Sequence, residues 1–159
     1  MRIIFGIIWG IDGALKFSPG MVQALQSMMS TVGSGQPSFL AGWFAFWSKL
    51  TLINPTAFVY AQGAVELTLS AALILGFMRK VTYIGGLMTS LLIWSVPEGF
   101  GGPYGPGTTD IGTGAIYAVV FLMLMVINAT NGASRISLDW YIERKWPFWR
   151  HVAELQLTS

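Results

Sequence analysis

The sequence predicts an all-α membrane protein: a bundle of four transmembrane helices, an outer interfacial helix and a cytoplasmic amphipathic helix at the C-terminal end. Three observations predict it. Only 10% of the 159 residues are charged, mean hydropathy is +0.60, and four apolar stretches recur along the chain. An ordinary soluble domain carries about 25% charged residues, and disordered chains are poorer still in apolar ones. The whole chain, 1–159, reads as a single membrane domain. A net charge of +2, with no run of Lys or Arg to track phosphates, excludes nucleic acid as a partner.

The first stretch runs from Ile3 to Phe17 and approaches the roughly 20 residues of a crossing only if Arg2 snorkels at the interface. A cleaved signal peptide is the competing reading. Asp12 and Lys16 interrupt its apolar region, and no small-residue cleavage site follows. Gly6, Gly10 and Ala14 recur every four residues, a stripe that lets another helix approach closely. Asp12 and Lys16 lie roughly opposite it, four apart and able to pair. With one face needing close packing and the other polar partners, this span is expected to be surrounded by protein.

Residues 18–55 follow as an extracytoplasmic segment. Pro19 starts a short helix over Met21 to Met29, and Thr31 to Pro37 is a Gly/Ser-rich break. Phe39, Trp43, Phe46, Trp47 and Leu50 recur at helical spacing, predicting an amphipathic helix in the outer interface or folded over the bundle. The second span covers 56–77. Glu66 stands near its middle with Gln62 and Ser70 one turn to either side, and the nearest cation is Lys16. The third span covers 81–96.

Residues 97–111, the second extracytoplasmic piece, hold five glycines and three prolines between Pro97 and Asp110 and cannot remain helical. They lack the Gly-Lys-Ser/Thr ending of a phosphate loop. Thr109 and Asp110 are natural caps for the fourth span, 112–128. The tail, 129–159, interleaves Trp140, Tyr141, Trp146, Phe148 and Trp149 with Arg144, Lys145 and Arg150, as an interfacial helix stopped by Pro147 does. Placing Arg2 inside and crossing four times puts seven of the nine basic residues on the cytoplasmic side, leaving Lys16 and Lys49 outside. Both termini are then cytoplasmic, in a multi-pass protein of the cell membrane. The triplet Asn128-Ala129-Thr130 falls on the cytoplasmic side and reads as accidental rather than glycosylated.

Cysteine is absent and His151 is the sole histidine, so haem, iron–sulfur and Cys/His metal sites are not expected, nor is a Ser-His nucleophile. What remains is the intramembrane set Asp12, Lys16 and Glu66. It reads either as a structural ion-pair network or as a site for a polar head group, a quinone or a small anion.

These residues resemble the DoxX/DoxD family of small four-helix membrane proteins. The resemblance rests on Arg2, Gly6, Gly10, Gly13 and Lys16-Phe17, then Glu66 with Leu73-Ile74-Leu75-Gly76-Phe77-Met78-Arg79, then Ser134-Arg135-Ile136-Ser137-Leu138-Asp139. The long segment before the second span and the Gly/Pro-rich loop look more like the DoxD branch, the membrane subunit of thiosulfate:quinone oxidoreductase. The resemblance implies a quinone-linked enzyme acting on thiosulfate or a related sulfur anion, with a DoxA-like partner, other membrane subunits or further copies of itself. Asp12, Lys16 and Glu66 would be its catalytic residues, and Gln62, Glu98, Tyr104 and Asp110 would bind substrate at the outer opening. An accessory subunit of a larger membrane complex and a proton or small-anion carrier remain alternative readings.

Overall fold

The computed structural model describes residues 1–104, 110–132 and 134–155. Among them there is no strand, and eight α-helices follow one another: α1 (Arg2–Leu15), α2 (Met21–Thr31), α3 (Ala41–Ile53), α4 (Pro55–Leu75), α5 (Arg79–Ser95), α6 (Thr113–Asn131), α7 (Leu138–Lys145) and α8 (Arg150–Ala153). Short 3-10 turns occupy Ser38–Leu40, Gly99–Gly101 and Pro147–Trp149. Of these helices, α4 and α6 are long and apolar enough to cross a membrane. The other two expected crossings, α1 and α5, are shorter, with 14 and 17 residues. At 1.5 Å per residue they extend about 21 and 26 Å.

Local chemistry sets the ends. The Asn54 side chain accepts from Ala57 N at 3.0 Å and Pro55 supplies the first helical residue, so α4 starts one residue before the apolar stretch suggests. Gly76 closes α4 with φ +67°, and a Cβ there would meet the Arg2 guanidinium and the Ser137 side chain at 2.6 Å. Arg2, expected to snorkel, instead donates to Leu73 O, to Ile74 O at 3.0 Å and to Ile136 O at 3.1 Å, tying down the carbonyl end of α4.

The helix α1 packs along α4, and α5 packs along α6. The four meet in one core of Phe5, Trp9, Leu69, Leu73, Tyr83, Phe121 and Leu124. The small face of α1 is Gly6, Gly10 and Gly13, not Ala14. Cβ atoms at those glycines would lie 2.8–3.0 Å from Ile74, Ser70 and Glu66, whereas Ala14 is exposed. A strict four-residue spacing drifts around a 3.6-residue helix, and the step of three from Gly10 to Gly13 corrects the drift. On another face, Phe5 and Trp9 reach Tyr117 and Phe121 of α6 at centroid distances of 5.0–5.7 Å. A third face is bare: Ile4, Ile7, Ile11 and Leu15 are exposed, so protein does not surround α1 on every side.

The segment before α4 folds over the end of the bundle. Trp43 Nε1 donates to Ser95 O at 3.0 Å, Gln36 Nε2 to Gly99 O at 3.0 Å, and Ser48 Oγ to Met29 O at 2.8 Å. Phe44 and Thr51 are buried, while Phe39, Trp43, Phe46 and Leu50 are exposed. The bonds from Trp43 and Ser48 fix the rotation of this segment and leave its aromatic stripe outermost.

At the opposite end the tail is embedded rather than merely interfacial. Asp139 is fully buried. Its carboxylate accepts from Met78 N, Arg79 N, Arg79 Nε and Trp149 Nε1, all at 2.8–2.9 Å. Arg79 also donates to Gly132 O at 2.8 Å and to Glu143 Oε1 at 3.0 Å. Burial, and then the neighbouring Glu154 carboxylate, push the Glu143 carboxyl above its ordinary range. Asn128 is buried too, donating to Ala153 O and accepting from Leu155 N, so both ends of its amide are engaged.

Two adjacent glycines of α5 give a paired test of this packing. A Cβ at Gly86 would stand 2.0 Å from the Phe121 ring, while one at Gly85 would meet open space. Gly86→Ala is expected to lower stability by about 2 kcal/mol through overpacking. Gly85→Ala is expected to raise it by up to about 1 kcal/mol through helix propensity. Thermal melts of both variants in one detergent check the opposite signs.

Candidate functional site

The polar groups of α1 and α4 meet where α1 ends. Glu66, four residues past Gln62 on α4, is buried against Gly13 of α1, the close approach that a missing Cβ allows. Gln62 Nε2 donates to Glu66 Oε1 at 2.9 Å, and Lys16 Nζ lies 3.4 Å from Glu66 Oε2. That second oxygen is shut off from solvent and has the Lys16 ammonium as its partner. Ser70, one turn further along, is spent on structure, donating to Gly6 O at 2.7 Å.

Asp12 does not pair with Lys16. Its Oδ2 accepts from Tyr117 Oη of α6 at 2.9 Å, while Lys16 turns to Glu66. The one-turn spacing permits an Asp12–Lys16 pair, but α4 and α6 bring better partners to each. Tyr117 carries no prominent sequence signal beyond being the one hydrogen-bonding side chain in α6 between Gly114 and Ile127.

Beside the Lys16–Glu66 pair lies a cavity of about 240 Å³. Its polar lining is Lys16, Gln62, Glu66 and Glu98. Its apolar wall includes residues of α2 (Met21, Leu25, Met28), α4 (Phe58) and the end of α5 (Leu92, Ile93), which no single motif announces. The space exists because α1 stops at Leu15 and the chain turns at Gly20 to lay α2 across the gap. A cavity of about 150 Å³ holds benzene, so this one admits a substituted ring.

Glu98 is the group at the far wall. Its carboxylate accepts from Gly114 N at 2.9 Å, capping the start of α6, where Asp110 had been expected. Asp110 instead accepts from Gly112 N at 2.7 Å, and Thr109 lies outside the described residues. Burial raises the Glu98 carboxyl above its ordinary value of 4.5, with the Gly114 N–H pulling it back. Tyr104 is exposed and donates to Phe100 O. Four of the seven expected site residues thus share one cavity: Lys16, Gln62, Glu66 and Glu98. Asp12, Tyr104 and Asp110 do not line it.

Comparison of the chain with protein-family models, curated proteins and solved structures yields no match.

The raised Glu98 carboxyl has a stability consequence of definite sign. A folded pKa above the unfolded one means that the unfolded state releases its proton first. Folding stability attributable to Glu98 therefore falls as pH rises from about 4.5 through the folded value. Glu98→Gln should flatten that part of the profile. Melting temperatures between pH 4 and 8, wild type against variant, measure the slope.

Proposed function

We propose that this chain is a four-span membrane subunit that binds a quinone-type ring in the cavity beside Lys16 and Glu66, as part of a quinone-linked oxidoreductase. The observation that carries the reading is the Lys16–Glu66 ion pair at the polar end of an otherwise apolar, ring-sized cavity. The Lys16 ammonium would donate to a ligand carbonyl. Met21, Leu25, Met28 and Ile93 would hold the body of the ring. A bound quinone supplies an acceptor of two electrons and two protons. Glu66 and Lys16 supply groups able to hold and pass those protons.

The resemblance to the DoxX/DoxD family supplies the electron donor, thiosulfate or a related anion. Two thiosulfate ions each lose one electron and join through a new S–S bond, giving tetrathionate. This chain has no Cys, so no thiol of its own joins that exchange, and a DoxA-like partner subunit would receive the anion.

Membrane embedding is supported by the exterior. A core helix of a soluble protein is mostly buried, yet α4 and α6 bury only 33% and 28% of their apolar windows. Ile116, Val119, Met123 and Val126 of α6 are exposed, as are Ile4, Ile7 and Ile11 of α1. Lipid covers such faces without cost. The shorter α1 and α5 complete the four crossings by local thinning of the bilayer and snorkelling of flanking side chains.

Lys16→Met is expected to weaken binding of a soluble quinone, duroquinone, at least tenfold, about 1.4 kcal/mol. Equilibrium titration of the protein in nanodiscs measures it, and unchanged affinity would reject the site. Topology is testable because the chain has no native cysteine. An impermeant maleimide applied to intact cells should label Lys49→Cys and spare Arg135→Cys; the reverse pattern would overturn the orientation.

A further inference from the structure

The cavity wall carries an excess of negative charge. Among the described residues that line it, Lys16 is the one cation, while Glu66 and Glu98 are two carboxylates. Lys16 is already engaged, its ammonium 3.4 Å from Glu66 Oε2. The start of α6, bonded to Glu98 through Gly114 N, offsets about half of the second carboxylate and no more. Asp12, one turn before Lys16 on α1 and hydrogen-bonded to Tyr117, adds a further acid behind the pair. Among the described residues, an anion placed here would meet no free cation and at least one carboxylate without a cationic partner. A neutral ring meets neither penalty and still finds the Lys16 N–H groups.

We propose that Glu66 sets the charge selectivity of this cavity, neutralising Lys16 so that the site admits an uncharged aromatic ligand and rejects an anion of the same shape. The inference rests on the cavity being the ligand site and deepens that reading. It places the sulfur anion of the proposed reaction outside this chamber, on the outer surface or on a partner chain. It also gives Glu66 a purpose other than proton transfer, since the carboxylate holds the lysine charge in check.

Benzamide and benzoate, alike in shape and different in charge, are suitable probes because the cavity holds one ring. Isothermal titration of the full chain in nanodiscs should find benzamide bound at least tenfold more tightly than benzoate. Glu66→Gln keeps the size of the side chain and releases Lys16, so benzoate affinity should rise at least tenfold relative to that of benzamide. In Glu66→Gln combined with Lys16→Met, the gain in benzoate affinity should disappear. Circular dichroism of each variant confirms the helical fold. Equal affinity of the wild type for both probes, or a benzoate affinity that Glu66→Gln leaves unchanged, overturns the proposal, as does failure of every form to bind either ring. Duroquinone separates the two readings. If it binds while the benzamide-to-benzoate ratio ignores Glu66, charge selectivity fails and the quinone site stands. If the ratio shifts but duroquinone does not bind, the quinone site fails and charge selectivity stands.

Discussion

The carboxylate of Asp139 is the constraint on which one whole end of this molecule depends. It accepts four N–H groups at once: two from the backbone that opens α5, one from the Arg79 guanidinium and one from the Trp149 indole. A buried charge is costly unless its hydrogen bonds are complete, and here they are. Completing them brings the α4–α5 turn, the end of α6 and the tail to one point. Arg2 works in parallel at the other side of Gly76, holding the carbonyl end of α4. With that end fixed, the opposite end of the bundle is free to be irregular, and it is there that the cavity lies.

The candidate site follows from how α1 is shared between two neighbours that need different spacings. Against α4 it presents glycines, so backbones come close and Glu66 can be buried beside Gly13. Against α6 it presents Phe5 and Trp9, whose rings fill a wider gap. The acid and the base of α1 are divided accordingly. Asp12 turns to Tyr117 and Lys16 to Glu66, so each of the bundle's awkward charges is answered from a different helix. Because α1 is short, its last turn leaves Lys16 at the mouth of an unfilled space rather than in a packed core.

Sequence reasoning reaches the parts of this arrangement that depend on one helix or on adjacent residues. Apolar runs locate the four main helices, while the Asn54-Pro55 start and the Gly76 stop of α4 emerge only in the fold. The lack of any other nearby base points from Glu66 to Lys16. What it misses depends on pairs of segments. The spacing of Asp12 and Lys16 permits a pair, and only the approach of α6 shows Tyr117 as the competitor. The aromatic repeat of α3 leaves open whether it lies in the interface or over the bundle, and the bonds from Trp43 and Ser48 tie it to α5 and α2. Asp139 looks like an ordinary tail residue until Arg79 is found beside it, and the cavity wall is drawn from four separate segments.

Arg79 illustrates a use of charge in time as well as in space. In the finished fold it is almost wholly buried and ion-paired to Asp139 and Glu143. During synthesis neither acid is yet available, because both lie in the tail, after all four proposed crossings have emerged. The nascent chain between α4 and α5 therefore exposes a bare guanidinium beside Lys80, and buries it once the tail arrives. The same atom group is thus a free charge early and an internal fastener late. Under this order of events the tail, made after the four main helices, is the segment that locks them at this end.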